Sequence, residues 1–260
     1  MTSQSPVPGS VEAVWGHRSS SFAELLRSCA PYALPQAAPG AEQVHGTTIF
    51  AVRYRDGVLV AGDRRATMGN LIAQRDLRKL EPADRASCLA FAGTVGVGKE
   101  MVQLFQVELE HFEKIEHAEL SFPAKVNRVS AMVRANLPQL ELNLVATPLF
   151  AGWDRVRQQA RIYTFDITGA PAEEKYYGGA GSGWFFARGA LKKLHDPEMD
   201  RASIVRVALQ ALFDAADDDS ATGGPDSVRA IYPTLALITE DGYEEVPADE
   251  ITPHLPNLTV

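Results

Sequence analysis

The chain has 260 residues, 45% hydrophobic and 22% charged, with a formal net charge of −8. This is ordinary for a globular protein, and the acidic balance argues against a nucleic-acid grip or an anionic membrane surface as main partner. No apolar run approaches the ~20 residues of a spanning helix, the first residues lack the basic stretch of a secretory signal, and two cysteines, Cys29 and Cys88, imply no disulfide framework; a reducing cytoplasm is the expected location.

Residues 1–46 are dominated by Ser, Pro, Ala and Gly; Pro31, Pro35 and Pro39 break any helix, and only 21–28 reads as helical. Such a block is either a disordered tail or a removable pro-segment. Folded texture begins at Thr47. Apolar runs at 48–54 and 58–62 flank Arg55-Asp56-Gly57, where Asp-Gly accepts the positive φ of a tight hairpin turn. A buried strand is expected at 87–92. A helix is expected over 99–115, with Val102, Phe105, Leu109 and Phe112 on one face. A second begins near Pro123 with Val126, Val129, Val133 and Leu137 on its apolar face, and Pro138 ends it.

Strands are then expected at 145–152, 161–165 and 175–179, the last running into a Gly181-Ser182-Gly183 loop. Helices follow at 184–194 and 202–216, then a core strand at 228–238 and a turn at Asp241-Gly242. Hairpins imply antiparallel sheets, and two helix pairs suit the two outer faces of stacked sheets. The expected fold is therefore α+β: a four-layer αββα sandwich occupying 47–260.

The chemistry centres on Gly46-Thr47-Thr48-Ile49. If the Gly46–Thr47 bond is cut, Thr47 carries a hydroxyl nucleophile and its own α-amine, whose pKa of about 7.7–8 leaves a useful fraction unprotonated at neutral pH. Other polar residues stand where core strands end. Taken singly, Asp63 reads as a turn aspartate, Lys79 as a solvated lysine, Gly93 as a strand-to-helix turn, and Asp217-Asp218-Asp219 with Thr222-Gly223-Gly224 as a helix terminus and loop.

As an ordered set these motifs are specific. Gly46-Thr47-Thr48-Ile49, Gly62-Asp63-Arg64-Arg65-Ala66-Thr67, Lys79, Ala92-Gly93-Thr94, Gly181-Ser182-Gly183 and Asp219-Ser220-Ala221-Thr222-Gly223 resemble the catalytic β-subunits of 20S proteasomes, the actinobacterial kind most. Asp63, Lys79 and Gly93 follow Thr47 at the family's spacing; Ser182, Asp219 and Thr222 are matched by local motif. The resemblance implies the N-terminal-nucleophile hydrolase fold, with 1–46 as a propeptide removed at Gly46–Thr47 by autocleavage. It implies that Thr47 is the nucleophile, Lys79 a cation beside it paired with Asp63, and Gly93 N–H an oxyanion donor. Ser182 and Asp219 orient the amine and its water, with Thr222 standing where the family usually has serine.

Family positions lining the specificity pocket fall on Ala66, Leu77, Phe91, Val95 and Lys99, with Thr67 also contacting substrate. Four of those five pocket positions are apolar, which implies a broad preference for hydrophobic P1 residues. The resemblance further implies a seven-membered ring of identical copies, a second such ring, α-subunit rings, a ring ATPase and substrates tagged by a ubiquitin-like modifier, without metal or cofactor. Rival readings are a six-fold-ring peptidase of the HslV type, a non-catalytic ring subunit, and an N-terminal-nucleophile amidase acting on small amides.

Overall fold

The computed structural model describes residues 47–259 apart from Asn143; the expected propeptide, with Gly46 and the helical stretch 21–28, lies outside the described residues. Two five-stranded sheets dominate. The first runs β10 (Tyr177–Gly181), β1 (Thr48–Tyr54), β2 (Gly57–Gly62), β11 (Thr234–Thr239), β12 (Gly242–Glu245), antiparallel throughout. The second runs in chain order as β5 (Leu80–Asp84), β6 (Ser87–Gly93), β7 (Ala146–Asp154), β8 (Gln159–Phe165) and β9 (Pro171–Glu174). A separate hairpin pairs β3 (Ala66–Met68) with β4 (Leu71–Gln74).

Strand alternation sorts the core into layers. Ile49, Ala51, Val58, Val60, Ala236 and Ile238 of the first sheet pack on Cys88, Ala90, Ala92, Leu149, Ala151 and Ile162 of the second. The intervening residues point outward. Phe50, Val52, Leu59, Ala61, Leu235 and Leu237 meet α3 (Trp184–Leu194) and α4 (Arg201–Asp218). Leu89, Phe91, Phe150, Tyr163 and Phe165 meet α1 (Val95–Glu116) and α2 (Phe122–Ala135). The fold is the expected αββα sandwich. A short α5 (Ala248–Ile251) follows β12, and Leu137–Leu142 forms a 3₁₀ stretch after α2. Among the described residues no helix is long and apolar enough to cross a membrane.

Several boundaries depart from the sequence reading for physical reasons. The β1–β2 turn is Arg55-Asp56, and Gly57 already belongs to β2 with no positive φ. Glycine is needed there because a Cβ would lie 2.1 Å from the Ile238 carbonyl oxygen of β11. The expected 228–238 strand shrinks to β11. Val228 is 92% exposed, and the chain before β11 folds through an Asp226–Ile231 bridge, with the Asp226 carboxylate accepting from Val228 N and Arg229 N. The 175–179 strand is shifted to β10, so Gly181 lies inside it.

Helix α1 begins at Val95 rather than 99, because Gly98 serves as a packing site and not as a breaker: a Cβ there would lie 2.0 Å from the Phe91 ring. Gly98→Ala should therefore overpack the α1–β6 contact and cost about 1–3 kcal/mol. Equilibrium denaturation checks this, with Gly96→Ala, whose added Cβ meets nothing within 4 Å, as a control of near-unchanged stability.

Candidate active site

The site is built at one end of the sandwich, where β1 starts and β2 stops. Asp63 follows β2 directly and is fully buried. Each of its carboxylate oxygens accepts twice. Oδ1 takes Lys79 Nζ at 2.5 Å and Thr48 N at 2.8 Å; Oδ2 takes Arg65 N and Gly223 N, both at 2.9 Å. A carboxylate offers about four lone-pair positions, so this one is saturated. Asp63 N in turn donates to Thr48 O at 3.1 Å.

Lys79 immediately precedes β5, and its carbonyl accepts from Phe91 N, which aligns it with β6 of the second sheet. The Lys79–Asp63 pair, at 1% and 0% side-chain exposure, thus bridges the two sheets. Burial pulls the Lys79 pKa below its ordinary value, while the Asp63 charge and hydrogen bond pull the other way. Because Lys79 Nζ and Thr48 N share one oxygen, the ammonium lies beside the chain entry to β1, where Thr47 is 3% exposed.

A second carboxylate arrives from the helical layer that covers the first sheet. Asp219 caps the C-terminus of α4, its N donating to Ala215 O. Its Oδ2 accepts from Ser182 Oγ and Thr222 Oγ1, each at 2.6 Å, and Thr222 Oγ1 lies 2.6 Å from Thr48 Oγ1. Arg65 fastens this loop by donating from Nη1 to the Ser220 and Thr222 carbonyl oxygens. Gly181, paired with Thr48, has φ +99, and a Cβ there would sit 1.9 Å from the Thr47 carbonyl oxygen. Only glycine permits that approach. Gly93 ends β6 at φ +104, where a Cβ would meet Val145 O at 2.2 Å.

The residues singled out in the sequence fall at several places around this end of the fold. Asp63 and Lys79 meet at the start of β1, beside Thr47; Ser182, Asp219 and Thr222 form a hydroxyl–carboxylate cluster joined to Thr48. Gly93 and Val95 lie at the β6–α1 junction, with Lys99 exposed one turn into α1. Ala66, Thr67 and Leu77 are buried in and after the β3–β4 hairpin, Leu77 N donating to Arg64 O. Phe91 points into the core beneath α1, against Gly98. Sequence reading assigned no role to Thr48, Arg65, Gly183 or Gly223. Thr48 carried one available signal: a hydroxyl at a strand position that alternation puts on the same face as Phe50 and Val52. Among the described residues no group of three or more His, Cys, Asp or Glu is arranged to hold a metal ion.

A buried Lys–Asp pair beside the strand that follows Thr47, within a sandwich of this topology, is consistent with the N-terminal-nucleophile hydrolase fold. The family model described as proteasome subunit matches residues 43–231. The chain is 51% identical over 240 residues to the proteasome subunit beta of Frankia alni, covering 90% of this chain and 88% of that one. Proteasome subunit beta 2 of Thermomonospora curvata is 51% identical over 239 residues, 90% and 85% of the two chains. Proteasome subunit beta 1 of Streptomyces avermitilis is 56% identical over 209 residues, 79% and 74%. The chain belongs to the proteasome subunit family. Membership implies a peptidase subunit and assembly into rings with other proteasome subunits.

Removing Asp63 would strand a buried cation. Asp63→Asn should cost about 3–5 kcal/mol at neutral pH. With the opposing carboxylate gone, Lys79 loses an influence that raises its pKa. Its folded value then falls further below the unfolded value of about 10.4, so the unfolded chain binds more protons between the two and stability rises with pH. The deficit relative to wild type should shrink as pH climbs from the variant's folded value to the wild type's own lowered folded value and stay constant above it, where both proteins gain stability alike; denaturant titrations at stepped pH would measure this.

Proposed function

We propose that the chain is a threonine-type endopeptidase subunit, activated by removal of residues 1–46. The observation that carries this reading is the saturated Asp63 carboxylate, which holds the Lys79 ammonium and the first amide of β1 on one oxygen next to Thr47. A buried lysine needs such a partner, and its cation beside Thr47 favours an alkoxide forming there.

In the proposed reaction Thr47 Oγ attacks the substrate carbonyl carbon and passes its proton, through water, to its own α-amine. The carbonyl electron pair moves onto oxygen, and the Gly93 N–H receives that oxyanion. Collapse breaks the C–N bond, the leaving amine takes the proton, and an ester on Thr47 remains. Water, deprotonated by the same amine, then hydrolyses the ester and restores the free hydroxyl. Ser182, Asp219 and Thr222 orient the amine and its water. In the precursor Thr47 has no free amine; its hydroxyl attacks the Gly46 carbonyl instead, and water opens the resulting ester to release 1–46. Glycine suits that strained step.

Substrate selection is assigned to Ala66, Thr67, Leu77, Phe91, Val95 and Lys99, with hydrophobic P1 residues preferred over acidic ones. Phe91 is buried and packs against Gly98. We assign the chain to a seven-membered β-ring stacked on a second one, between α-subunit rings, working in the cytoplasm with a ring ATPase on proteins carrying a ubiquitin-like tag.

Thr47→Ala tests the core of this reading. Intact mass should show residues 1–46 retained, and peptide cleavage should fall by at least about 10³-fold; a variant that is processed and active would overturn it. A fluorogenic panel on the wild type should rank hydrophobic P1 peptides first, and preference for an acidic P1 would contradict the pocket assignment.

A further inference from the structure

Thr48 is fully buried, and its polar groups are engaged at both ends. Its main chain exchanges hydrogen bonds with Asp63: N–H donates to Oδ1 at 2.8 Å and C=O accepts from Asp63 N at 3.1 Å. Its hydroxyl touches Thr222 Oγ1 at 2.6 Å, and Thr222 donates to Asp219 Oδ2. Proton counting fixes the direction of this chain. An ionised carboxylate only accepts, and a hydroxyl has one proton to give. Thr222 spends its proton on Asp219, so Thr48 is the donor to Thr222. The sequence of donation is Thr48 to Thr222 to Asp219, with Ser182 donating from the other side.

Gly183 closes the cluster. A Cβ at that position would lie 2.2 Å from Thr48 Oγ1, 2.5 Å from Thr222 Oγ1 and 3.1 Å from Asp219 Oδ2. The three oxygens therefore pack directly against the start of α3, leaving no room for a methyl group. Thr48 directly follows Thr47 in the chain, so any rotation of the peptide joining them redirects the Thr47 hydroxyl and amine.

We propose that Thr48 is a positioning residue for the reaction of Thr47, coupling the Asp63–Lys79 pair through its main chain to the Ser182–Asp219–Thr222 cluster through its hydroxyl. This rests on the threonine-peptidase reading given under Proposed function. Its physical basis is that small misplacements of a nucleophile cost rate more than binding.

Thr48→Val keeps the shape and removes the donor; Thr48→Ser keeps the donor. In full-length chain assembled with its partner subunits, with kcat expressed per processed terminus counted by intact mass, Thr48→Val should lower kcat about 10–100-fold while KM stays within about twofold. Thr48→Ser should remain within about threefold of wild type. A Thr48→Val kcat within about twofold of wild type, or Thr48→Ser as impaired as Thr48→Val, would overturn the proposal.

If Thr48→Val does not assemble, Thr48→Ala, which also lacks the donor to Thr222, takes its place: it must give the same kcat-selective loss, and a fully active Thr48→Ala sinks the idea. Thr47→Ala run alongside separates the two levels. Cleavage surviving in Thr47→Ala removes the peptidase reading itself. An inactive Thr47→Ala beside a fully active Thr48→Val removes only the positioning role.

Discussion

One carboxylate organises this molecule's polar end. Asp63 binds four N–H donors drawn from four places in the chain: the start of β1, the turn after β2, the residue before β5, and the loop after α4. Burying a Lys–Asp pair costs several kcal/mol per ion before the mutual attraction is counted, and only full hydrogen bonding offsets it. The fold supplies that saturation. Because Asp63 leaves the first sheet and Lys79 enters the second, the pair pins the two sheets together where Thr47 precedes β1. The apolar sheet–sheet interface of Ile49, Val60, Ala90 and Leu149 sets the spacing that lets Nζ reach Oδ1.

Around that constraint the chain departs from ordinary local preferences. Helix α4 ends in Asp217, Asp218 and the capping Asp219, with no basic residue in its last turn. Acidic groups at a helix C-terminus oppose the macrodipole. Asp219 is retained there and hydrogen-bonded to Ser182, Thr222 and Ala221 N, which is the pattern expected where function and local stability disagree. Gly93 and Gly181, both at positive φ, bring backbone close to Val145 O and Thr47 O in the same way.

Much of this was legible in the sequence because the signals were strong and periodic. The apolar stripes of α1 and α2 repeat on one face of each helix, and β1, β6 and β7 read as near-continuous apolar runs because both of their faces are buried. What escaped was short or polar. β5 carries Glu81, Pro82 and Asp84; it is an edge strand, where proline is tolerated, so its register comes from β6 and not from its own residues. All four residues of β4 are exposed, and only the Gly69-Asn70 pair before it hinted at a hairpin. Within the site, motif spacing pointed to Asp63, Lys79 and Gly93. The link from Thr48 to Thr222 spans 174 positions and belongs to tertiary packing of α4 on the first sheet, which no local pattern encodes.

The central claim is that Thr47, freed at its amine and held beside the Lys79–Asp63 pair, is the nucleophile that cleaves the peptide bond. Its most direct test is covalent: treat the assembled particle with a peptide vinyl sulfone bearing a hydrophobic P1 residue and map the adduct by tandem mass spectrometry. The account predicts one adduct per active subunit, on Thr47, in a peptide whose first residue is Thr47. An adduct on any other side chain, or modified chains that still begin upstream of Thr47, would contradict it.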